Sequence, residues 1–321
     1  MDRKGHSNET TKLMMASWAP KTQASYSAYL RKWEDYCTEN SIDVYTTDTE
    51  QGIDFLTYLY TDKNAGYSYI ANARSALSAI LPKKEGKSFG ENPEVTKLLK
   101  GIFKKRPQLP RRLEIYDPDV ILKYMTALPT NKELMLEELT LKLTTLLCLL
   151  SGQRGQTIAA LDLGSCSIKD NAATFYINQM LKTTRPGFHQ EPLRYEKFLP
   201  EPKLCVLDCL KEYMDRTQSI RENLEGNPQT LILSYKYPHN PVKACTIARY
   251  ITQFLGRAGV DITLFTAHSV RSAATTKANS IGVSIKEIQR AAGWSNESTF
   301  QRFYKLPINR NLGSSLLQKN S

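Results

Sequence analysis

The segment AHSVRSAATT sets His268 and Arg271 three residues apart at the start of a helical pattern. That spacing puts both side chains on one helix face, where an imidazole and a guanidinium can address the same small anion. Two further segments carry residues suited to a phosphate. SGQRGQT places Arg154 directly after a long apolar stretch, and AAGWSNESTFQRFYKLP brings Trp294 and Tyr304 near the end of the chain. Singly, a surface Arg, a helix-capping His and a core Trp or Tyr each have a plain structural explanation. Together they supply what attack on a phosphodiester requires: cations for the non-bridging oxygens, a group that titrates near neutrality, and a nucleophile.

The bulk composition points to a polyanionic partner. The net charge is +11 and the pI about 9.2, which favours nucleic acid, with an anionic membrane surface as the alternative. A membrane is the weaker reading. The opening MDRKGHSNETTK is too polar for a signal peptide. The longest apolar stretch, 134–150, is interrupted by Glu137, Glu138 and Lys142, so it is expected as a buried helix and not a span. The six cysteines are scattered and form no Cys-x-x-Cys, so metal-ligand spacing is lacking and reduced thiols in an intracellular compartment are expected. Cys205 and Cys209 share a helix face beside Leu204 and Leu210, as core residues do.

The elements that must position these groups fall into two parts. Residues 1–12 are polar and expected to be disordered. Residues 13–103 carry four helical patterns and no strand pattern. The first holds Tyr26, Tyr29, Leu30, Trp33, Tyr36 and Cys37, the second Phe55, Leu56, Leu59 and Tyr60. The third ends at Pro82, and the fourth has Pro93 in its first turn. KKRPQLPRR, residues 104–112, then combines two prolines with five cations and reads as a linker. Its Lys104, Lys105, Arg106, Arg111 and Arg112 are expected on DNA phosphates; a merely solvated linker is the alternative. Helices are expected near 118–128 and 132–150, short strands at 165–168, 173–179 and around 191–199, and helices at 204–216, 243–258, 268–280, 284–292 and about 297–305.

The ordered set Arg154, His268-x-x-Arg271, Trp294 and Tyr304 resembles the Arg…His-x-x-Arg…His/Trp…Tyr signature of the tyrosine recombinases, the lambda-type phage integrases. The resemblance covers nearly the whole chain. The run HSVRSAATTKANSIGVSIKEIQRAAGWSNESTFQRFY is most similar to recombinases of eukaryotic mobile elements of the crypton and DIRS type. It implies an N-terminal all-α, SAM-like core-binding helical bundle and, over residues 113–308, an α+β, mostly helical catalytic domain with a small antiparallel sheet. It also implies double-stranded DNA as partner, a homotetramer on two DNA sites, and neither ATP, metal nor other cofactor.

The implied residue roles agree with the chemistry. Arg154 and Arg271 present planar forks to the non-bridging oxygens, which Lys imitates poorly. Tyr304 attacks, His268 exchanges its proton, and Trp294 offers one N–H donor, with a purely packing role for that Trp as the alternative. The proton donor for the 5′-oxygen is a Lys on a β-hairpin, assigned to Lys182 at the end of the second strand in YINQMLKTTRPG, with Lys169 in the preceding turn as fallback. Two departures stand out. Many relatives carry Glu or Asp three residues after the first Arg, where this chain has Thr157. The Tyr usually follows the Trp by nine residues, which falls on Phe303; Tyr304 is one later, and SNES is a loop-like segment able to absorb the slip.

The expected function is therefore site-specific DNA recombination or integration for a mobile element. Two other classes stay open: a domesticated DNA-binding protein without catalysis, and a type IB topoisomerase. A nuclear location follows from the eukaryotic resemblance, and a cytoplasmic one otherwise. Residues 309–321, with Leu312, Leu316 and Leu317, are expected either to dock on a neighbouring protomer or to be disordered.

Overall fold

The computed structural model describes residues 7–107, 115–182, 184–187 and 190–294. The chain divides into two compact units, 1–111 and 112–321. The expected helix near 297–305, the tail 309–321, and Arg111, Arg112 and Tyr304 lie outside the described residues.

The first unit is all-helical: α1 (Asn8–Ala16), α2 (Pro20–Glu39), α3 (Thr49–Thr61), α4 (Tyr67–Ile80) and α5 (Pro93–Lys105). Its core is built by the apolar stripes of α2 to α5, with Trp33, Cys37, Phe55, Leu56, Leu59, Ile70, Leu77, Val95, Leu99 and Ile102 buried. Local chemistry sets the helix ends. Asp48 N–H donates to Gln51 Oε1 at 3.1 Å before α3, and Asn92 Oδ1 accepts from Glu94 N–H at 2.8 Å before α5, with Pro93 in the first turn. Gly52 is required by contact: a Cβ there would come within 2.5 Å of the Phe89 ring.

Two boundaries differ from expectation. Residues 8–12, expected to be disordered, form the first part of α1, which Ser7 opens by accepting from Thr10 N–H at 3.2 Å; none of α1 is buried. The fourth helix runs on through Lys104 and Lys105, which the linker reading had placed outside it. Cations suit a helix C-terminus, so the basic run continues the helix until Pro107 stops it. Arg106 closes the unit, stacking 4.4 Å from the Tyr60 ring centre and donating Nη1 to the Ala65 carbonyl at 3.1 Å.

The second unit carries α6 (Asp119–Ala127), α7 (Leu136–Ser151), α8 (Gly155–Ala159), β1 (Cys166–Ile168), β2 (Ala172–Phe175), β3 (Leu193–Glu196), α9 (Val206–Glu222), α10 (Ala244–Arg257), α11 (Ala267–Ser280) and α12 (Ile285–Ala292). The strands form an antiparallel sheet in the order β1-β2-β3, with Phe175 opposite both Cys166 and Leu193. This is the α+β, mostly helical architecture with a small sheet that the sequence implied.

α7 is the central strut. Every residue from Leu139 to Leu149 is buried, including four polar ones. Thr140, Thr144, Thr145 and, at the end, Ser151 each donate a hydroxyl to the carbonyl four residues earlier, at 2.6 to 2.8 Å. Lys142 donates Nζ to Asn131 Oδ1 at 2.8 Å. α9 and α10 pack on this strut, and β3 adds Tyr195, whose hydroxyl donates to the Leu147 carbonyl at 3.1 Å. No helix among the described residues is long and apolar enough to cross a membrane.

Candidate active site

α11 begins beside α10. Ala267 N–H donates to Thr252 Oγ1 at 3.2 Å, tying the first turn of α11 to α10. His268 is exposed there and lines a shallow cleft of about 650 Å³ with Ala248, Arg249, Thr252 and Gln253 of α10. Arg271, one turn later, is 1% exposed. The pair keeps its helical spacing, but the imidazole sits at the surface and the guanidinium inside.

Arg271 meets Trp294 directly. Its guanidinium carbon lies 4.5 Å from the indole centre, within cation–π range. Trp294 is buried and packs with Ile288 and Ala292, so a packing role is observed together with the stacking. α12 delivers it: Ser284 and Glu287 cap the helix reciprocally, and Gly293 ends it in the left-handed region at φ 65°. Arg271 also acts on Cys148 in the last turn of α7. Burial pushes that thiol up to about 12, while the Arg271 charge pulls the other way.

Arg154 is half-buried and forms the N-cap of α8. The turn that carries it is where the other segments converge. Gly152 ends α7 at φ 61°, and a Cβ there would lie 3.1 Å from Thr275 Cγ2 of α11 and 3.7 Å from Ala292 Cβ of α12. Thr275 in turn donates Oγ1 to the Arg271 carbonyl at 2.8 Å. Gln153, 2% exposed, donates Nε2 to the Ala291 carbonyl at 2.6 Å and accepts from Thr157 Oγ1 at 3.2 Å. Thr157, standing where a carboxylate was expected, is thus a buried partner of Gln153. On the other side Gly155 abuts α10, its Cβ position 3.5 Å from Ile247 Cγ2.

Lys182 is not at a strand end. β2 stops at Phe175, where the next amide, Tyr176 N–H, turns to the Ser165 carbonyl at 3.0 Å, and Lys182 sits exposed in the long connection to β3. Beside it Leu181 is buried, its N–H held by Thr184 Oγ1 at 2.9 Å. The same connection returns to α12: the Gln190 amide lies 3.1 Å from a Cβ position on Gly293, and Glu191 pairs with Arg290 Nε at 2.5 Å. Lys169 occupies the exposed turn between β1 and β2. In the first unit Lys104 and Lys105 are exposed and Arg106 half-buried.

The structure therefore joins Arg271 to Trp294 and attaches the segments of Arg154 and His268 to the same junction, while Lys182 lies on a loop tied to that junction at its far end. Tyr195 and Tyr213 are consumed by the core: burial raises both phenols, and Tyr213 accepts from Leu233 N–H at 2.9 Å. The residue missed in the sequence is Gln153. Its signal was present in SGQRGQT as an amide and a hydroxyl four positions apart, a spacing that meets on a helix. Among the described residues no three His, Cys, Asp or Glu side chains cluster as metal ligands.

Residues 115–309, more than half of the chain, match the sequence model of the phage integrase family. No curated protein matches by sequence. Among solved structures, the chain is similar to XerH site-specific recombinase bound to difH substrate, with TM-score 0.57, 12% identity, and coverage of 92% of this chain and 78% of that one. It is also similar to the Tn1549 transposon integrase in complex with transposon right end DNA (TM-score 0.57, 13% identity, 94% and 93% covered). A third is a lambda integrase tetramer bound to a Holliday junction (TM-score 0.51, 16% identity, 94% and 78% covered). At these identities the likeness is one of fold.

Proposed function

The chain belongs to the phage integrase family, and from that premise we propose that it is a site-specific DNA recombinase that cuts and rejoins strands through Tyr304. The observation that carries the reading is the buried Arg271 stacked on Trp294 at the junction that also holds the turn of Arg154. A buried guanidinium costs desolvation and suits a site that must neutralise an anion.

In this reading Arg154 and Arg271 bind the non-bridging oxygens of one phosphate and stabilise the added charge of the pentavalent transition state. The Tyr304 oxygen attacks phosphorus, its proton passing to His268. The bond to the 5′-oxygen breaks as the 3′-phosphotyrosyl bond forms, and Lys182 donates the proton that the 5′-oxygen takes up. One phosphoester replaces another, so the step is close to balanced and reverses on rejoining. The exposed position of His268 suits proton exchange with an incoming phenol or hydroxyl.

The net charge of +11 supports a duplex partner, with Lys104, Lys105, Arg106, Arg111 and Arg112 as backbone contacts. Arg106 is already engaged with Tyr60 and Ala65, so it serves a phosphate less freely than its two lysine neighbours. We further read the protein as the enzyme of a mobile element of crypton or DIRS type, acting as a tetramer and in the nucleus. The similarity to a transposon integrase supports the mobile element though not its type, and the similarity to a tetrameric integrase supports the tetramer.

The test is a nicked duplex taken from the genomic flanks of the coding sequence, incubated with wild-type protein and with Tyr304→Phe. Wild type is expected to accumulate a denaturation-resistant protein–DNA adduct and the variant none. An adduct with Tyr304→Phe removes the nucleophile assignment, and relaxation of supercoiled plasmid without strand exchange would favour a topoisomerase.

A further inference from the structure

We propose that Gln153 is a positioning residue: with Thr157 it forms an uncharged brace that fixes the turn of Arg154 against the end of α12, which carries Trp294. The inference rests on the recombinase reading above, and adds to it a residue that touches no reacting atom.

The chain leaves α7 through Gly152 and has two residues before α8 begins at Gly155. α8 is only five residues long, too short to hold Arg154 in place by its own hydrogen bonds. Gln153 supplies the missing constraint, and all four of its polar groups are used. Its N–H donates to Ser151 Oγ at 3.2 Å and its carbonyl accepts from Cys148 Sγ at 3.4 Å. Its Oε1 accepts from Thr157 Oγ1, and its Nε2 donates to the Ala291 carbonyl.

The last of these bonds caps another helix. The final carbonyls of a helix have no partner further along it. In α12 the Gln289 and Arg290 carbonyls accept from Trp294 N–H and Gly293 N–H, at 3.0 and 3.1 Å. The Ala291 carbonyl is taken by Gln153, 138 positions away in sequence. The amide is wedged so closely that a Cβ on Gly293 would come 3.3 Å from its Nε2. One buried side chain thus sets the distance between the backbone of Arg154 and that of Trp294, on whose ring Arg271 rests. If Arg154 and Arg271 address one phosphate, that distance fixes how well both forks fit the transition state, and less how tightly the duplex binds.

The identity of the side chain follows from the same geometry. The Ala291 carbonyl needs a donor and Thr157 Oγ1 gives one, so position 153 must both donate and accept at its tip. An amide does this; a carboxylate facing the Ala291 carbonyl does not.

The experiment measures single-turnover adduct formation on a nicked duplex by full-length protein, alongside duplex affinity and thermal melting. Gln153→Glu and Gln153→Leu are expected to slow adduct formation about 10- to 100-fold while duplex affinity stays within about twofold. Thr157→Val, which leaves the Ala291 bond in place, is expected to lose only about threefold. In an Arg154→Ala background, Gln153→Leu should cost less than about twofold more, because the brace acts through Arg154. A Gln153→Glu protein that cleaves at the wild-type rate overturns the brace, and so does a full additional loss in the Arg154→Ala background, which marks a merely structural role. If wild type forms no adduct, it is the recombinase reading that fails, and the positioning role goes with it.

Discussion

The helical unit of residues 7–107 and the unit that follows differ in what they bury. Among the described residues of the first, Thr47 is the sole buried polar side chain, and aromatic contacts close the core: Trp33 with Phe55 at 5.1 Å and with Tyr36 at 6.0 Å. The second unit buries Lys142, Gln153, Thr157, Arg221, Arg271 and a row of Ser and Thr hydroxyls. Buried cations are a costly way to hold a fold, since replacing them by apolar residues is often neutral or stabilising. The contrast separates a unit that presents its charge at the surface from one that spends stability on internal polar order.

The two buried arginines among the described residues of the second unit are held in different ways. Arg221 gives Nη1 to the Pro228 and Thr230 carbonyls at 3.0 and 2.6 Å and Nη2 to the Leu231 carbonyl at 2.5 Å, so its fork clamps one backbone segment. Arg271 lies over the Trp294 ring, its guanidinium carbon 4.5 Å from the indole centre, at the junction that also holds the turn of Arg154. The first arrangement clamps a backbone segment of the fold, and the second ties two helices together at the candidate site.

The comparison can be broken at three places. The largest expected effect is Trp33→Ala in the first unit. It removes a wholly buried ring and the Nε1 bond to the Val44 carbonyl, and should cost about 3–5 kcal/mol in a denaturant melt. A loss under about 1 kcal/mol would mean that aromatic closure does not hold this unit together. Next, Arg271→Ala is expected to slow adduct formation on the order of 10²–10³-fold, beyond any change in the folded fraction. Arg271→Lys should recover little of it, because a point charge replaces a planar fork. Equal cleavage by Arg271→Ala and wild type would place Arg271 with Arg221 among the structural cations.

The smallest effect is at Lys142. Burial pulls this ammonium below its usual pKa, so the folded state binds its proton less readily than the unfolded chain. Stability therefore rises with pH between the lowered folded value and the ordinary unfolded one, and the penalty is fully present below that window. Lys142→Met should add about 1 kcal/mol at neutral pH, and its advantage over wild type should shrink as pH climbs toward 10. An advantage that is flat with pH would show that Lys142 is comfortable in its bond to Asn131.

Helices were the most legible feature of the sequence, because their buried faces recur with the helical period. α10 was expected at 243–258 and spans Ala244–Arg257. α9 was expected to end at 216 and runs on to Glu222, past the end of its apolar stripe. That last turn is held by Arg221 on carbonyls 228–231, a tertiary cause that no local pattern shows. The strands were read too long, since pairing ends wherever the partner strand does. That is also why Lys182 lies in a connection and not at a strand end. The candidate site could be drawn from the sequence only as an ordered set of residue types; the depth of Arg271 and the exposure of His268 could not. Gln153 escaped notice because amides are common on surfaces, and only its burial reveals it.

One property of α7 bears on how the second unit could be rebuilt. Its hydroxyls at Thr140, Thr144 and Thr145 answer to carbonyls of the helix itself, so those three bonds do not depend on what surrounds the rod. A rod of that kind tolerates new wrapping. The faces of α9 and β3 that lie on it can be redesigned from apolar residues of matched volume where they meet side chains alone, so a swap of outer layers between distant relatives must preserve the shape of the rod, the bonds that Tyr195 and Tyr213 make to it, and the turn at its end.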